Sequence, residues 1–448
     1  MVVLGPCTFI MIERNTLARA GVNALPLIRV AASPKIAEYF NETPPEERTW
    51  LAAGAIALVS ATDKLDGFWA RRIGPTDFGG WLDQLADKAF VIWPQLALKH
   101  NGELPAAHSD LKIARDVGVS GLRLWAGLQG KDVKAGKSGQ RKAVFEMTDL
   151  IIAGSPLSRE PDRIRAGASV ATALSLTSAF DYLVSYTGIG QKTPEEDVTT
   201  RNSTARRAAS SPIDKLVTVI DEKMPFITPD HLTEAGKALV LGAAVLAVKR
   251  PDKPALPTAM YTAGSLLDTL DGALARKKGA NEDGSTTVDG MLKDVRSDKI
   301  QEIITFGALS MIARRRGNNV AADNYAAAAM SAVLPALSRA HAESNGFIVA
   351  EGGIGTRVGR GILGGVGMGF NKHRDTSDIL SAVVATNNVI TTDGRRQVAK
   401  RGEAASNYKG VNTSGKFMHE ARIKRKALVP LAAAGLVAGA ALLKRRNK

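Results

Sequence analysis

The chain has 448 residues, 59 Lys and Arg against 44 Asp and Glu for a net charge of +15, and one cysteine, Cys7. A single thiol excludes an intramolecular disulfide framework. With only six histidines beside it, a Cys-rich zinc module is excluded too, so a metal here would take oxygen ligands. The length exceeds the ~100–200 residues of one ordinary domain, so two domains are expected. Basic residues are spread over loops and tail and aromatics make up 5%, which argues against a nucleic-acid surface.

Met1–Thr16 lacks a basic segment followed by an apolar one, so no cleavable signal is expected there. Uncharged runs follow at Trp50–Thr62, Ala166–Phe180, Ala238–Val248, Pro254–Leu267, Asn324–Ser338 and Ile379–Thr392. Each is shorter than the ~20 residues that cross a bilayer. Right after the first run stands Asp63-Lys-Leu-Asp66-Gly67-Phe-Trp-Ala70-Arg71, then Gly79-Gly-Trp-Leu-Asp83-Gln-Leu-Ala-Asp87-Lys88. The polar stretch Gln191–Pro212 reads as a linker. After it, Ile213–Met224 has Ile213, Leu216, Val217 and Ile220 at helical spacing, an amphipathic helix for a membrane surface or for ordinary packing.

The second half repeats the first. Asp268-Thr-Leu-Asp271-Gly272-Ala-Leu-Ala275-Arg276 is followed by Gly290-Met-Leu-Lys-Asp294-Val-Arg-Ser-Asp298-Lys299. The intervening residues Lys277–Asp289 are polar and Gly-containing, a loop that tolerates insertion. Thr391–Lys426 is a basic, flexible tail suited to anionic headgroups or to plain solvation. Ala427–Leu443, flanked by basic residues on both sides, reads as a weak membrane span, an interfacial helix or a soluble Ala-rich helix. The predicted organisation is a first domain 1–190, a linker 191–212, a second domain 213–392, a tail 393–426 and an apolar segment 427–448 with a basic end.

On a helix, Asp63, Asp66 and Ala70 share one face, and Gly79, Asp83 and Asp87 share one face of the next. Four carboxylates can meet across such a pair. That charge density is unfavourable in a partly apolar site unless a divalent cation compensates it, and oxygen-only ligands suit magnesium, manganese or calcium. Gly67 and Ala70 keep bulk low for a flat or phosphorylated ligand, and Arg71 brings a fork for phosphate oxygens.

The pattern Asp-x₂-Asp-Gly-x₂-Ala-Arg-x₈-Gly-x₃-Asp-x₃-Asp resembles the signature of the CDP-alcohol phosphatidyltransferase family, and both halves are similar to it. Seven residues separate Arg71 from Gly79 in place of eight, and thirteen separate Arg276 from Gly290. The resemblance implies an all-α, polytopic membrane protein of two tandem six-helix bundles, the signature lying on the second and third helix of each. It implies attack by an alcohol on the β-phosphorus of CDP-diacylglycerol with release of CMP, and two Mg²⁺ or Mn²⁺ ions per active site. Asp63, Asp66, Asp83 and Asp87 would hold metal, with Asp87 also the general base; Gly67, Ala70, Arg71 and Gly79 would line the nucleotide and diphosphate. In the second half these roles pass to Asp268, Asp271, Asp294 and Asp298, with Asp298 the base, and to Gly272, Ala275, Arg276 and Gly290.

The stretch Arg115-Asp116, Leu122-Arg123, Lys137-Ser-Gly-Gln-Arg141-Lys142 is similar to phosphatidylglycerophosphate synthases, which implies glycerol 3-phosphate as acceptor and Arg123, Lys137, Arg141 and Lys142 around its phosphate. Ser338-Arg339 and Gly353-Ile-Gly-Thr-Arg357-Val-Gly-Arg360 resemble phosphatidylinositol phosphate synthases, with Arg339, Arg357 and Arg360 as the corresponding cations. Ile227-Thr228-Pro229-Asp230-His231-Leu232-Thr233 resembles the Pro-Asn-x-Leu-Thr that opens the family's first helix. The cations after the second and fourth helices place the active sites on the cytoplasmic face of an inner or plasma membrane. Expected partners are CDP-diacylglycerol, a phosphorylated alcohol and membrane lipids, with no nucleic acid; the halves would form an intramolecular pseudo-dimer, or the chain a homo-oligomer. Two other readings stay open: one active half with a structural partner half, and a non-catalytic, divalent-cation-dependent membrane-binding protein.

Overall fold

The computed structural model describes residues 6–73, 77–129, 137–187, 204–278, 288–344 and 357–401, with side chains in most of these. Among the described residues every regular element is helical. The chain divides into two compact units, Met1–Ser178 and Ala179–Lys448.

The first unit is built on α1 (Pro6–Glu42), α2 (Trp50–Ile73), α3 (Asp77–His100), α4 (Ala106–Leu128), α5 (Lys137–Ala153) and α6 (Pro161–Thr187). Side-chain register fixes their directions. Arg29 of α1 meets Asp83 and Asp87 of α3, and Asn101 beyond α3 donates to the Phe40 carbonyl, so α1 and α3 run parallel. Lys88 bonds Ser120 and Lys99 bonds Asp110, so α4 runs against α3. Lys142 pairs with Asp116 and Lys112 with Asp149, so α5 runs against α4. The core between them holds Phe40, Ile56, Phe90, Leu98, Leu150 and Ile164.

One end of this unit is stapled by Arg48. Its side chain is fully buried, its two terminal nitrogens reach both Glu103 oxygens at 2.6 Å, and it donates to the Ala153 carbonyl at 3.0 Å and the Thr43 carbonyl at 3.2 Å. It also lies 4.9 Å from the Phe40 ring centroid, within cation–π range. The α1–α2, α3–α4 and α5–α6 connections therefore meet there. The carboxylate halves of α2 and α3 lie toward the other end.

The second unit contains α7 (Thr204–Lys223), α8 (Pro229–Lys249), α9 (Ala255–Lys278), α10 (Val288–Arg315), α11 (Asn319–Ser331), α12 (Leu334–Ser344), α13 (Arg357–Gly369) and α14 (Arg374–Arg401). α8 opens with a capping box: the Thr228 hydroxyl accepts from the His231 backbone, the Thr228 N–H donates back to the His231 ring, and Pro229 occupies a first-turn position needing no N–H. α8 and α9 cross closely. A Cβ added at Gly236 would lie 3.0 Å from the Gly264 carbonyl oxygen, and one at Gly264 would lie 2.8 Å from that of Gly236, so glycine is what lets the backbones approach. The core gathers Val240, Phe306, Leu309, Ile312, Tyr325 and Met368.

Several sequence expectations shift in detail. The short uncharged runs belong to longer helical stretches, as Trp50–Thr62 does in the 24-residue α2, with Pro254 standing just ahead of α9. Helix α7 starts at Thr204, inside the stretch expected as linker, because Thr204–Ser211 is rich in the helix formers Ala and Arg. Its apolar face, with Val217 at the centre and Ile213 and Ile220 beside it, packs on Leu270 and Leu274 of α9, which is the packed-helix alternative. α14 continues to Arg401, into the expected tail. Residues 191–203, the loop 279–287 and the segments after 401, Ala427–Leu443 included, lie outside the described residues.

Candidate active site

The Asp-rich signature of the first unit folds as two facing helices. Asp63 lies on α2, Asp83 and Asp87 lie one turn apart on α3, and one carboxylate oxygen from each comes within 4.8 Å of the others. The Asp83 and Asp87 side chains are 39% and 36% exposed, so the group has an open side. Three hard oxygen donors from two helices, without nitrogen or sulfur, fit Mg²⁺ or Mn²⁺. Asp66, Gly67, Ala70 and Arg71 continue α2 and Gly79 lies on α3, with side chains outside the described part.

Arg29 of α1 closes the inner side of this group. Its side chain has no solvent exposure; one terminal nitrogen reaches Asp83 Oδ1, Nε lies 3.2 Å from Asp87 Oδ1, and the other terminal nitrogen donates to the Thr62 hydroxyl at 3.3 Å. Sequence reasoning passed over Arg29. Its signal was a lone cation within the apolar residues 24–33, where an unpaired charge in a buried helix face is costly.

The expected acceptor cations divide. Arg123 on α4 and Arg141 on α5 are half-buried, and Lys137 starts α5 with its side chain outside the described part. Lys142 is buried and committed: its ammonium lies 2.6 and 2.8 Å from the two Asp116 oxygens and 2.8 Å from Glu146. Asp116 also accepts from Arg115 at 2.7 Å, Arg115 donates to Ser178 at 2.6 Å, and Ser175 donates to Glu146 at 3.3 Å. With Lys112 and Asp149 at 3.8 Å, three cations and three carboxylates form a balanced buried network across α4, α5 and α6. The Lys142 ammonium is thus held by two carboxylates.

In the second unit Asp268, Asp271, Gly272 and Ala275 lie on α9 and Asp298 on α10. Asp271 is buried and accepts from the Thr233 hydroxyl at 2.5 Å. The side chains of Arg276, Gly290, Asp294 and Arg357 lie outside the described part. Arg360 is buried, with Nε 2.9 Å from Glu302 Oε1, and Lys299 bonds the same carboxylate at 2.9 and 3.0 Å. Arg339 on α12 is half-buried.

Residues 20–178 match the family model described as CDP-alcohol phosphatidyltransferase. The chain is 36% identical over 118 residues to a CDP-diacylglycerol–glycerol-3-phosphate 3-phosphatidyltransferase of Pseudomonas fluorescens, covering 24% of this chain and 59% of the relative. It is 34% identical over 131 residues to the protein of the same name from Rickettsia bellii, 29% of this chain and 72% of the relative. A probable phosphatidylglycerophosphate synthase of Mycobacterium tuberculosis is 29% identical over 166 residues, 36% of this chain and 78% of the relative. The chain thus spans little more than half of the Pseudomonas relative's length. No solved structure matches. On the signature helices α2 and α3 and on this similarity, the chain belongs to the CDP-alcohol phosphatidyltransferase family.

Proposed function

We propose that the first unit transfers a phosphatidyl group from CDP-diacylglycerol to glycerol 3-phosphate, releasing CMP. The observation that carries this is the convergence of Asp63, Asp83 and Asp87 within 4.8 Å on the signature helices of a family member. A pair of divalent cations held by these residues and Asp66 would neutralise the diphosphate and the leaving CMP. Asp87 takes the proton of the acceptor hydroxyl as its oxygen bonds to the β-phosphorus and the bond from that phosphorus to the CMP oxygen breaks. Arg71 holds the diphosphate in its fork, and Gly67, Ala70 and Gly79 leave room for the nucleotide. The acceptor phosphate, on this reading, is met by Arg123 and Arg141 with Lys137, since Lys142 is spent internally.

The protein acts within a membrane, with its sites toward the cytoplasmic face of a bacterial inner or plasma membrane. Among the described residues, two helical stretches, Pro229–Lys249 and Asn319–Ala342, are long and apolar enough to cross one. Elsewhere, α2 leaves Leu51, Leu58, Leu65 and Phe68 exposed along its length, a continuous apolar stripe that water does not favour and lipid does.

The second unit performs the same chemistry with Asp268, Asp271, Asp294 and Asp298, on inositol phosphate according to its Arg339, Arg357 and Arg360 pattern. A competing reading, that it is a structural half, is favoured by the closure of Arg360 on Glu302. Radiolabelled CMP release from CDP-diacylglycerol by the detergent-solubilised chain, with each acceptor and with Mg²⁺ or Mn²⁺, tests both. Asp87→Asn is expected to abolish release with glycerol 3-phosphate, and Asp298→Asn with inositol phosphate if the second unit is active. No release above the enzyme-free control with either acceptor would refute the assignment.

A further inference from the structure

We propose that Arg29 is a resident counter-cation that competes with the divalent ion for Asp83 and Asp87 and so holds the first unit's affinity for free metal down. The inference rests on the carboxylate cluster being the cation site proposed above. Three carboxylates with oxygens inside 4.8 Å repel one another whenever no ion is present. Arg29 answers that repulsion from within the protein: it is fully buried, and two of its nitrogens lie on Oδ1 of Asp83 and Oδ1 of Asp87. Both residues belong to the carboxylate group that would hold the ion. A guanidinium so placed lowers metal affinity by its charge and by the hydrogen bond it keeps on Asp83.

The matching place on α8 of the second unit carries a glycine. Arg29 touches Thr62, the residue before Asp63. The counterpart on α8 is Gly236, which faces Leu267, the residue before Asp268; a Cβ there would lie 3.6 Å from the Leu267 Cβ and 3.0 Å from the Gly264 oxygen. No long side chain fits. The buried guanidinium beside Asp83 and Asp87 is therefore a feature of α1 that α8 does not reproduce.

The test is Mn²⁺ binding by electron paramagnetic resonance to the full chain in detergent, in an Asp268→Asn/Asp298→Asn background that silences the second unit. Arg29→Gln is expected to bind Mn²⁺ about tenfold more tightly than the background protein, a coupling of ordinary size between two competing cations. It is also expected to melt at a lower temperature without metal and to regain most of the loss with Mn²⁺. Equal or weaker Mn²⁺ binding by Arg29→Gln overturns the proposal. If Arg29→Gln does not fold, Arg29→Lys replaces it: an ammonium serves one carboxylate at a time, so binding is expected to tighten about threefold, and unchanged or weaker binding overturns the proposal. Absence of any Mn²⁺ binding that Asp83→Asn removes would instead refute the cation-site reading, and the competition with it.

Discussion

Replacing Lys142 with Met separates an internal counterion from a phosphate ligand. The change keeps the length of the side chain and removes the charge that Asp116 and Glu146 share at 2.6 and 2.8 Å. Asp116 retains Arg115, whereas Glu146 retains the Ser175 hydroxyl at 3.3 Å and the more distant charge of Lys112. A buried ion pair broken from one side costs about 3–5 kcal/mol. At the roughly 2–4 °C per kcal/mol of a domain of this size, unfolding in detergent is expected about 6–20 °C lower. The double variant Lys142→Met/Glu146→Gln neutralises both partners and is expected to recover at least half of the loss, since the orphaned charge is gone. Differential scanning fluorimetry in detergent reads this, alongside the glycerol 3-phosphate KM. The reasoning is refuted if Lys142→Met melts with the unsubstituted chain and only raises that KM, because the ammonium would then be available to substrate.

The Arg48 staple is expected to behave in the same way without touching the site. Arg48→Met leaves Glu103 and the Ala153 carbonyl without their charged donor and costs about 3–5 kcal/mol, read by thermal unfolding, whereas kcat at a temperature well below the transition stays within about twofold. Gly264→Ala and Gly54→Ala are expected to differ in sign. The new Cβ at Gly264 would sit 2.8 Å from a backbone oxygen and cost about 1–3 kcal/mol. At Gly54 nothing lies within 4 Å, and stability is unchanged or rises by up to ~1 kcal/mol. Chelation with EDTA is expected to stop CMP release, with return on Mg²⁺ or Mn²⁺ but not on a monovalent salt; retained turnover after exhaustive chelation would contradict the carboxylate site.

The spacing of Asp63, Asp83 and Asp87 was legible because helical periodicity converts sequence separation into a shared face, and the structure brings those oxygens within 4.8 Å. The helical class was legible for the same reason. Helix lengths were legible only in part: the uncharged run Trp50–Thr62 is a fragment of α2, which continues through the signature to Ile73. Pairings between distant segments stayed hidden. Nothing local distinguishes Lys142 from Arg141, yet one is buried between two carboxylates and the other is half-buried; the difference is set by which face of α5 meets α4. Arg29 needed the same information, since its carboxylate partners lie 54 residues away or more.

The two units carry similar Asp-rich patterns in sequence, and the described residues around those patterns differ, which bears on how any result in one half transfers to the other. Beside its carboxylates the first unit keeps space for a buried guanidinium, and Thr62 there offers a hydroxyl. The second unit fills the matching space with a helix crossing at Gly236 and Gly264, where Leu267 stands in the place of Thr62. Its buried cations gather on Glu302, one turn beyond Asp298, and that carboxylate has Val91 at the corresponding position of α3. A fixed cation beside a ligand carboxylate and a fixed cation a turn away differ by a few ångströms, and in a low-dielectric interior that separation changes an interaction by kcal/mol. Substituting Asp87 and Asp298 alike is thus the same chemical change made in two different fields, and unequal losses would follow from those fields even where both units bind the same ion.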